Sequence, residues 1–376
     1  MNNRKMELLS GSLACLLFLV GLSTAQTWSQ LPTVGSPPVT GVGGVGYDGA
    51  NNRLIAFFPG TGGAQVWVLT NANGLGGTSN WIQLTPNGTA PTNSGEASVV
   101  YDSRANQLIV YGGCVSNCGS PLSDVFVLHN ANGLAGTPAW SQTTTSPPEA
   151  RENQSAVYNS SNSRMIAFGG GLAFFGTDQN DTRVLVPFNA SSSNWSTLGA
   201  AGDLPGIREG NTAIYDQAHN LMTIFGGDAA VSTCCPYDIV DYNDVWVLSD
   251  ADGSGTGTPT WRQLTPTGAA PPARSNQSAV YDSARNIMYV FGGLQFSNAT
   301  QTQQVLGDLW KLTNANGRGA STPKWIQIGQ LGTPPGALFS HGAVFDRVNQ
   351  RMIVIGGGDR NFQNINLTFV LNLLQH

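Results

Sequence analysis

The stretch that decides the fold runs from Ala273 to Trp325 and reads ARSNQSAVYDSARNIMYVFGGLQFSNATQTQQVLGDLWKLTNANGRGASTPKW. Runs of Val, Ile, Tyr, Phe and Trp alternate in it with Gly, Asn, Asp and Pro, as strands and turns do. The stretch predicts four short strands, namely Gln277 to Tyr281, Asn286 to Phe291, Asp308 to Leu312, and one beginning at Trp325. None of these segments has sustained helical spacing, so the unit is predicted to be a small antiparallel sheet.

The same unit recurs along the chain with a period of about 50 residues or more, which indicates a repeat architecture. The first strand ends in an aromatic-Asp or aromatic-Asn pair at Tyr47-Asp48, Tyr101-Asp102, Tyr158-Asn159, Tyr215-Asp216, Tyr281-Asp282 and Phe345-Asp346. A glycine doublet follows at Gly112-Gly113, Gly169-Gly170, Gly226-Gly227, Gly292-Gly293 and Gly356-Gly357, with Pro59-Gly60 in the first copy. Five units end in a Trp, at Trp81, Trp140, Trp195, Trp261 and Trp325.

The sixth unit lacks its closing Trp, and the missing residue lies at the other end of the chain. Trp28, in TWSQLPTVGSPP, matches the WRQLTPTGAAPP that ends the fourth unit. We therefore predict that the strand Thr27 to Leu31 pairs with the strand Asn364 to Leu374 as the outermost strand of the last unit. Pairing of the two ends closes the ring and removes an open sheet edge. The sequence predicts an all-β, six-bladed β-propeller; a seven-bladed ring would need one more unit.

The order of these features resembles the kelch repeat: a strand entered by Arg, an apolar strand ending in Gly-Gly, an aromatic turn and a closing Trp. The resemblance extends over all six units and covers Thr27 to Leu374. It implies a propeller like the central domain of galactose oxidase. It implies function less directly, because kelch propellers include enzymes, adaptors and carbohydrate-associated proteins.

The N-terminus predicts export. Arg4 and Lys5 precede the apolar run Leu13 to Leu22, and small residues end at Ala25, as in a secretory signal peptide. Residues 1–25 are thus predicted to be removed, and residues 26–376 to form one soluble, monomeric propeller, secreted or periplasmic, without stable membrane insertion. The mature chain keeps 15 of 17 basic and 21 of 22 acidic residues. This acidic balance argues against a nucleic-acid partner.

Four cysteines remain in the mature chain, and an oxidising compartment favours their pairing. Cys114 and Cys118 flank a short turn, which predicts a local disulfide. Cys234 and Cys235 are adjacent; they could pair with each other or with the first two. A metal site is the weaker alternative because no His lies near either pair in the sequence. No metal or other cofactor is predicted.

The loops between third and fourth strands repeat almost unchanged, as NANGLGGTSNW, NANGLAGTPAW, DADGSGTGTPTW and NANGRGASTPKW. Asn, Asp and Gly form turns of this kind through side-chain to backbone bonds and positive φ angles. Asp250 and Asp252 also resemble the start of a calcium loop, but no bidentate Glu follows. A plain turn is the favoured interpretation.

The loops between second and third strands differ in every unit, and variable loops on a repeated scaffold are the usual place for binding. They are Cys114 to Ser123, Gly171 to Thr182, Asp228 to Asn243, Leu294 to Gly307 and Gly358 to Gln363. They share one face with the entries to the inner strands, where Arg151, Arg208 and Arg274 recur.

Similarity to the kelch adaptors, whose entry arginines hold acidic peptides in the central depression, implicates these three arginines in binding. It adds Asn153, Asn211 and Asn276 as neighbouring donors, with Glu96 and His341 near the same place in units two and six. The alternative is structural: entry arginines also bond backbone carbonyls, and Glu152 and Glu209 follow two of them.

The sequence offers little evidence for catalysis. The copper site of galactose oxidase needs His and Tyr ligands, but the four histidines are scattered and no Tyr-His pair occurs; they are His129, His219, His341 and His376. No nucleophile or nucleotide-binding motif is found. Glu96, Glu152 and Glu209 could converge at the ring axis, as the carboxylates of glycoside hydrolases do.

Three functions therefore remain open. The favoured hypothesis is an exported propeller that binds a protein segment or a polysaccharide on its variable face. The alternatives are a secreted carbohydrate-active enzyme that uses carboxylates at the same place, and a structural protein of an envelope or matrix.

Overall fold

Six small sheets are arranged in a ring around a central channel, and each sheet contributes its first strand to the channel wall. The structure, a computed structural model, describes residues 26–92, 95–115, 120–143, 149–172, 178–186, 194–232 and 238–373. All described regular elements are strands, as predicted. From the inner to the outer strand, the blades are Gly44–Asp48, Arg53–Phe58, Gln65–Thr70 and Ser79–Gln83; Ser98–Asp102, Gln107–Tyr111, Val125–His129 and Ala139–Gln142; Ser155–Asn159, Arg164–Phe168, Thr182–Val186 and Asn194–Thr197; Thr212–Asp216, Leu221–Phe225, Val245–Ser249 and Thr260–Leu264; Ser278–Asp282, Ile287–Ser297, Thr302–Thr313 and Lys324–Ile328; Gly342–Asp346, Arg351–Ile355, Thr368–Asn372 and Gln26–Gln30.

The N-terminal strand closes the ring, as the position of Trp28 predicted. Gln26–Gln30 pairs antiparallel with Thr368–Asn372, with Trp28 opposite Leu371. The indole of Trp28 is almost fully buried against Phe291 of blade 5, with ring centroids 5.3 Å apart. Both ends of the described chain therefore belong to the sixth sheet.

Additional two- or three-residue strands run parallel to three outer strands. They are Thr33–Val34, Ala201–Gly202 and Gln330–Gly332, beside blades 1, 4 and 6 respectively. Two further hairpins stand at the ends of blades 2 and 4, formed by Cys114–Val115 with Ser120–Pro121 and by Asp228–Ser232 with Asp238–Asp241.

The apolar core lies between the blades rather than at the axis. Six clusters of buried side chains occur, one between each pair of neighbouring blades. The second strands, such as Leu221–Phe225, are buried along their whole length because another blade covers each of their faces. Burial on both faces explains why these strands are continuous apolar runs in the sequence instead of alternating ones.

The face that carries the repeated NANG loops, here called the turn face, is held together by amide to carboxylate bonds between blades. Asn132 Nδ2 donates to Asp48 Oδ2 (2.8 Å), and Asn316 Nδ2 to Asp216 Oδ2 (2.6 Å). Between blades 3 and 4 the residue types are exchanged: Asn159 Nδ2 donates to Asp252 Oδ2 at 2.7 Å. The Tyr158-Asn159 turn and the DADG loop each depart from the repeated sequence. Together they form the same kind of bond between blades, with the amide and the carboxylate exchanged.

Blade 5 differs from its prediction. Leu294 to Gly307 was expected to be a loop, but Ile287–Ser297 and Thr302–Thr313 continue as one long hairpin, with a register shift between Phe291 and Gly293. Backbone pairing such as Leu294 with Val305 continues beyond the glycine doublet because the bulge bends the ladder without ending it. Neither face of the hairpin beyond the glycine doublet is fully buried, so its sequence is polar. The apolar pattern that indicates a strand is therefore absent from this part of the sequence.

Several predictions lie outside the described residues. These are the signal peptide at residues 1–25, Cys118, Cys234, Cys235 and His376. None of the described residues belongs to a helix of the length and apolarity needed to cross a membrane.

Candidate functional site

A cavity of 430 Å³ opens at the end of the channel where the inner strands begin, and we call it the mouth. Its lining includes Glu96, Asn153, Asn211, Asn276 and His341, five of the eight residues that the sequence singled out for binding. Both polar side chains and the glycines of blade 1 contribute to the wall. The entry segments therefore converge on one cavity, on the face of the variable loops.

A chain of backbone hydrogen bonds around the axis fixes the entry segments. Asn153 N–H donates to Glu96 O (2.9 Å), Gly210 to Asn153 (3.0 Å), Asn276 to Gly210 (2.8 Å), and Ser340 to Asn276 (2.9 Å). All five residues have φ between 47° and 60°. Asn and Gly tolerate this left-handed conformation well, whereas it costs free energy for Glu and Ser. The positions of the mouth side chains are thus set by contacts between blades.

The three arginines do not line the mouth. Each is at least 98% buried and extends over its own blade, where Nη1 bonds the carbonyl of the first glycine in the doublet. The same guanidinium groups pair with the Asp that opens the third strand: Arg151 with Asp181, Arg208 with Asp244, and Arg274 with Asp308, at 2.6 to 2.8 Å. These aspartates, and not Glu152 or Glu209, neutralise the arginines.

The backbone carbonyls of the arginines connect neighbouring blades. Arg151 O accepts from Gly113 N at 2.8 Å, and Arg274 O accepts from Gly227 N at the same distance. A Cβ at Gly112 would lie 2.4 Å from Arg151 O, so the first glycine is required by this close approach. The geometry places these arginines in the framework that supports the mouth. A sequence signal for this was present, because an Asp 30 to 36 residues downstream accompanies each Arg.

Asn211 and His341 bond the inner strand of the preceding blade. Asn211 Nδ2 donates to Ser155 Oγ (2.8 Å), and His341 Nε2 lies 2.7 Å from Ser278 Oγ. Burial lowers the pKa of His341 to about 3, so the imidazole is neutral at physiological pH. By contrast, Asn276 makes only two long hydrogen bonds through its side chain among the described residues, both at 3.5 Å to serines, and Asn153 lines the same cavity.

An acidic sector occupies the blade 2 to blade 4 side of the mouth and was only partly foreseen. It contains Glu96, Glu152 and Glu209, together with Asp178, Asp228 and Asp241. Burial, with help from Glu96 and Asp178, raises the pKa of Glu152 to about 7. Burial, then Asp228 and the other carboxylates, raises the pKa of Glu209 to about 9. Burial also raises the pKa of Glu96, which is solvent-accessible but enclosed by the mouth.

Within this sector, Glu96 and Glu152 lie close to each other. A carboxylate oxygen of each lies within 4.8 Å of the other and of Cys114 Sγ. Glu152 is 3% exposed, and its Oε2 is buried without a hydrogen-bond partner. The sulfur of Cys114 is in a disulfide whose second cysteine is outside the described residues, so the predicted pairing with Cys118 stays a prediction.

The variable loops of blades 4 and 5 contact each other. The long hairpin of blade 5 contacts Asp238–Asp241 of blade 4, where Ile239 N donates to Asn298 Oδ1 and Asn298 Nδ2 donates to Ile239 O. Phe296 N also donates to Asp241 Oδ2 at 2.6 Å.

The opposite end of the channel has a different character. Five tyrosines and Phe345 line a cavity of 350 Å³ there, and they are the aromatic residues of the repeated turns. Hydroxyls such as that of Tyr281 bond the Asn of the same turn (3.0 Å to Asn286 Oδ1), which indicates a structural role. His129 and His219 also bond residues on this side, away from His341, so the described histidines do not form a cluster.

The proposed calcium loop is occupied by protein donors. Asp252 Oδ2 accepts from Asn159 and Asn162, and Oδ1 accepts from Asn220 and from the backbone of Ser254. These bonds lower the pKa of Asp252 although burial opposes them. Protein donors therefore satisfy both carboxylate oxygens of Asp252. In the same turn, Asp250 Oδ1 accepts from Asn220 and Gly255, and Asp250 Oδ2 has no hydrogen-bond partner among the described residues.

The structure defines a six-bladed propeller of the kelch class, with a closed ring, glycine doublets, entry residues at matching positions in the blades, and a mouth at one end of the channel. Its fold is galactose-oxidase-like, as the resemblance implied. A family model described as the KLHDC2/KLHL20/DRC7 Kelch-repeats domain matches residues 64–249, 103–310 and 160–376. The chain belongs to this kelch-repeat family.

Similar proteins agree on the fold. Kelch domain-containing protein 3 of Rattus norvegicus and that of Mus musculus are each 33% identical over 119 residues, which are 31% of this chain and 27% of the relative. The matched segment thus spans about a quarter of these relatives. Among solved structures, YjhT superposes with a TM-score of 0.63 at 14% identity, covering 90% of this chain and 96% of YjhT. The α-L-arabinofuranosidase Arb93A of Fusarium graminearum gives 0.55 at 11%, covering 93% and 98%. At these identities the likeness shows the fold alone.

Proposed function

We propose that this protein is an exported binding protein and that an extended ligand, either a protein segment or a polysaccharide, binds at the mouth. The observation that carries the proposal is the difference between the two faces. On one face, variable loops border a cavity with available polar groups. On the turn face, the repeated Asn and Asp side chains form bonds between blades. A repeated scaffold that varies at one face favours recognition at that face.

The contacts revise the chemistry expected of the ligand. The arginines that the kelch adaptors would use for acidic peptides are buried in ion pairs. Asn153, Asn276 and the acidic sector remain at or beside the mouth. This composition suits hydroxyl, amide or cationic groups, and it disfavours an acidic ligand because like charges repel.

A screen of the mature chain, residues 26–376, against glycan and peptide arrays tests the proposal. Asn153→Ala and Asn276→Ala should each weaken binding of a hit about tenfold, the effect of losing one or two hydrogen bonds. Gln217→Ala, an exposed amide on the turn face, is the control and should bind like the unmodified protein. Equal affinities for all three variants would place the binding site elsewhere, and no hit on either array would favour a structural protein.

Export and the monomeric state are part of the same proposal. Expression of the full chain should yield a processed protein that begins at Gln26 in the extracellular or periplasmic fraction. N-terminal sequencing and size-exclusion chromatography measure the two properties. Retention of residues 1–25 in the recovered protein would contradict the export hypothesis.

A second candidate is a carbohydrate-active enzyme, favoured by the Glu96 and Glu152 pair. The two carboxyl groups of retaining glycosidases stand about 5–5.5 Å apart, and one has a raised pKa. An oxygen of Glu96 lies within 4.8 Å of an oxygen of Glu152, close to this separation, and burial raises the pKa of Glu152 to about 7. Release of sugar from a polysaccharide panel, abolished in both Glu96→Gln and Glu152→Gln, would support hydrolysis. Binding without turnover would support the first proposal.

A further inference from the structure

We propose that Glu96 and Glu152 form a binding site for a divalent cation of the calcium type in the wall of the mouth. Calcium to oxygen distances are about 2.3–2.6 Å, so two oxygens on one ion are at most roughly 5 Å apart. The carboxylate oxygens of Glu96 and Glu152 lie within 4.8 Å of each other, inside this limit. The pair can therefore be bridged without movement of the backbone.

The burial of Glu152 points independently to a cationic partner. Its side chain is almost completely buried, yet Oε2 has no hydrogen-bond partner. A buried carboxylate without a partner is unfavourable, and proteins usually compensate it with a cation or hydrogen bonds. Asn153 N, one residue further on, is already used by Glu96 O. Glu152 therefore has an unpartnered carboxylate oxygen, and its carboxylate lies within 4.8 Å of that of Glu96, which lines the water-accessible mouth.

No Lys, Arg or His among the described residues forms an ion pair with Glu96 or Glu152. Every ion pair among the described residues uses other acids, which are Glu149, Asp181, Asp216, Asp244, Asp282 and Asp308. Asp178 adds negative charge beside Glu152. A cleft lined by one sign of charge raises the local concentration of counter-ions, so this sector should concentrate cations from solution.

The donor atoms select the kind of cation. Cys114 Sγ completes the cluster geometrically, but a disulfide sulfur offers no thiolate. The remaining donors are carboxylate oxygens, which suit hard cations such as Ca²⁺ rather than Zn²⁺ or Cu⁺. Because Glu96 lies on the mouth, water can fill the other coordination positions. Two carboxylates and water correspond to the weak sites of extracellular modules, with Kd of about 10⁻⁴–10⁻³ M.

Calcium titration of the mature chain tests the site. After chelator treatment and dialysis, isothermal calorimetry with CaCl₂ should show one binding event in the stated range, and MgCl₂ should bind more weakly. Glu152→Gln should raise the Kd at least tenfold, and so should Glu96→Gln. The second variant changes a solvent-accessible residue, so it remains informative if the buried substitution impairs folding.

Glu209→Gln is the matched control, because Glu209 occupies the position of Glu152 in the next blade and belongs to the same acidic sector. Its Kd should stay within about threefold of the unmodified protein. Asp250→Asn, in the acidic turn on the opposite face, should leave the Kd unchanged. Absence of calcium binding, an unchanged Kd in Glu96→Gln, or equal losses in all four variants would overturn the proposal.

Discussion

The role of the phased arginines can be tested by Arg274→Ala. Arg274 is fully buried and makes four side-chain bonds: Nη1 and Nη2 to the two oxygens of Asp308 (2.6 and 2.8 Å), Nη1 to Gly292 O (2.9 Å) and Nε to Pro272 O (3.0 Å). Removal of one partner of such a buried pair typically costs about 3–5 kcal/mol. Asp308 keeps a bond from Trp310 Nε1, so we expect a loss of about 3 kcal/mol.

Urea titration of the free energy of unfolding measures this loss, with Arg285→Ala as the control. Arg285 also pairs with an Asp in blade 5, but its side chain is 53% exposed. Because exposed ion pairs contribute little, this variant should have nearly the midpoint of the unmodified protein. Arg274→Lys should fall between, since an ammonium cannot form the two-pronged contact with Asp308.

The pH dependence supplies a second readout. The bonds from Arg274 lower the pKa of Asp308 although burial opposes them. A carboxylate with a lowered folded-state pKa stabilises the fold above its unfolded pKa of about 4, and this contribution is lost as the pH falls through the folded value. The difference in free energy of unfolding between Arg274→Ala and the unmodified protein should therefore become smaller below pH 4. If Arg274→Ala kept full stability at pH 7 but lost ligand binding, the arginine would be a binding residue and the structural argument would be wrong.

Three other substitutions test the ring and the mouth. Asn159→Asp should destabilise the fold, because it places two carboxylates at the 2.7 Å contact with Asp252, whereas the double variant Asn159→Asp, Asp252→Asn recreates the pairing of the other blades. A double-mutant cycle should give a coupling free energy of about 1–3 kcal/mol, and additive effects would contradict the pairing. Trp28→Ala should lower the free energy of unfolding by about 3–5 kcal/mol, measured by calorimetry or urea titration, because it removes the buried side chain that closes blade 6. If the loss were no larger than that caused by Ile82→Ala, at a partly exposed site, Trp28 would not be the residue that closes the ring. Glu209→Gln should raise the urea midpoint at pH 8 but hardly at pH 4.5. The pKa of Glu209 is about 9 in the folded protein, so the unmodified protein loses stability as the pH rises above the lower pKa of this residue in the unfolded chain. A difference that does not change with pH would contradict the raised pKa.

Much of the fold could be predicted because each blade is specified locally. Glycine doublets, aromatic turns and closing tryptophans recur in phase, and each feature has a short-range physical cause. The matching end sequences also predicted the long-range pairing of Trp28 with the last blade. The extension of the blade 5 hairpin was missed, since its strands pair through the backbone without an apolar pattern.

The site was predicted only in outline. The sequence identified the face and five of the residues that line the mouth, because alternating strand direction sorts the loops without any side-chain detail. It could not determine the direction of the Arg274 side chain, which depends on an Asp 34 residues away in the chain. Nor could it determine that Glu96 and Glu152, from different blades, meet within 4.8 Å. Periodicity along one chain specifies strands, turns and their order, whereas burial, pKa and the separation of charges arise only when neighbouring blades close around a common axis.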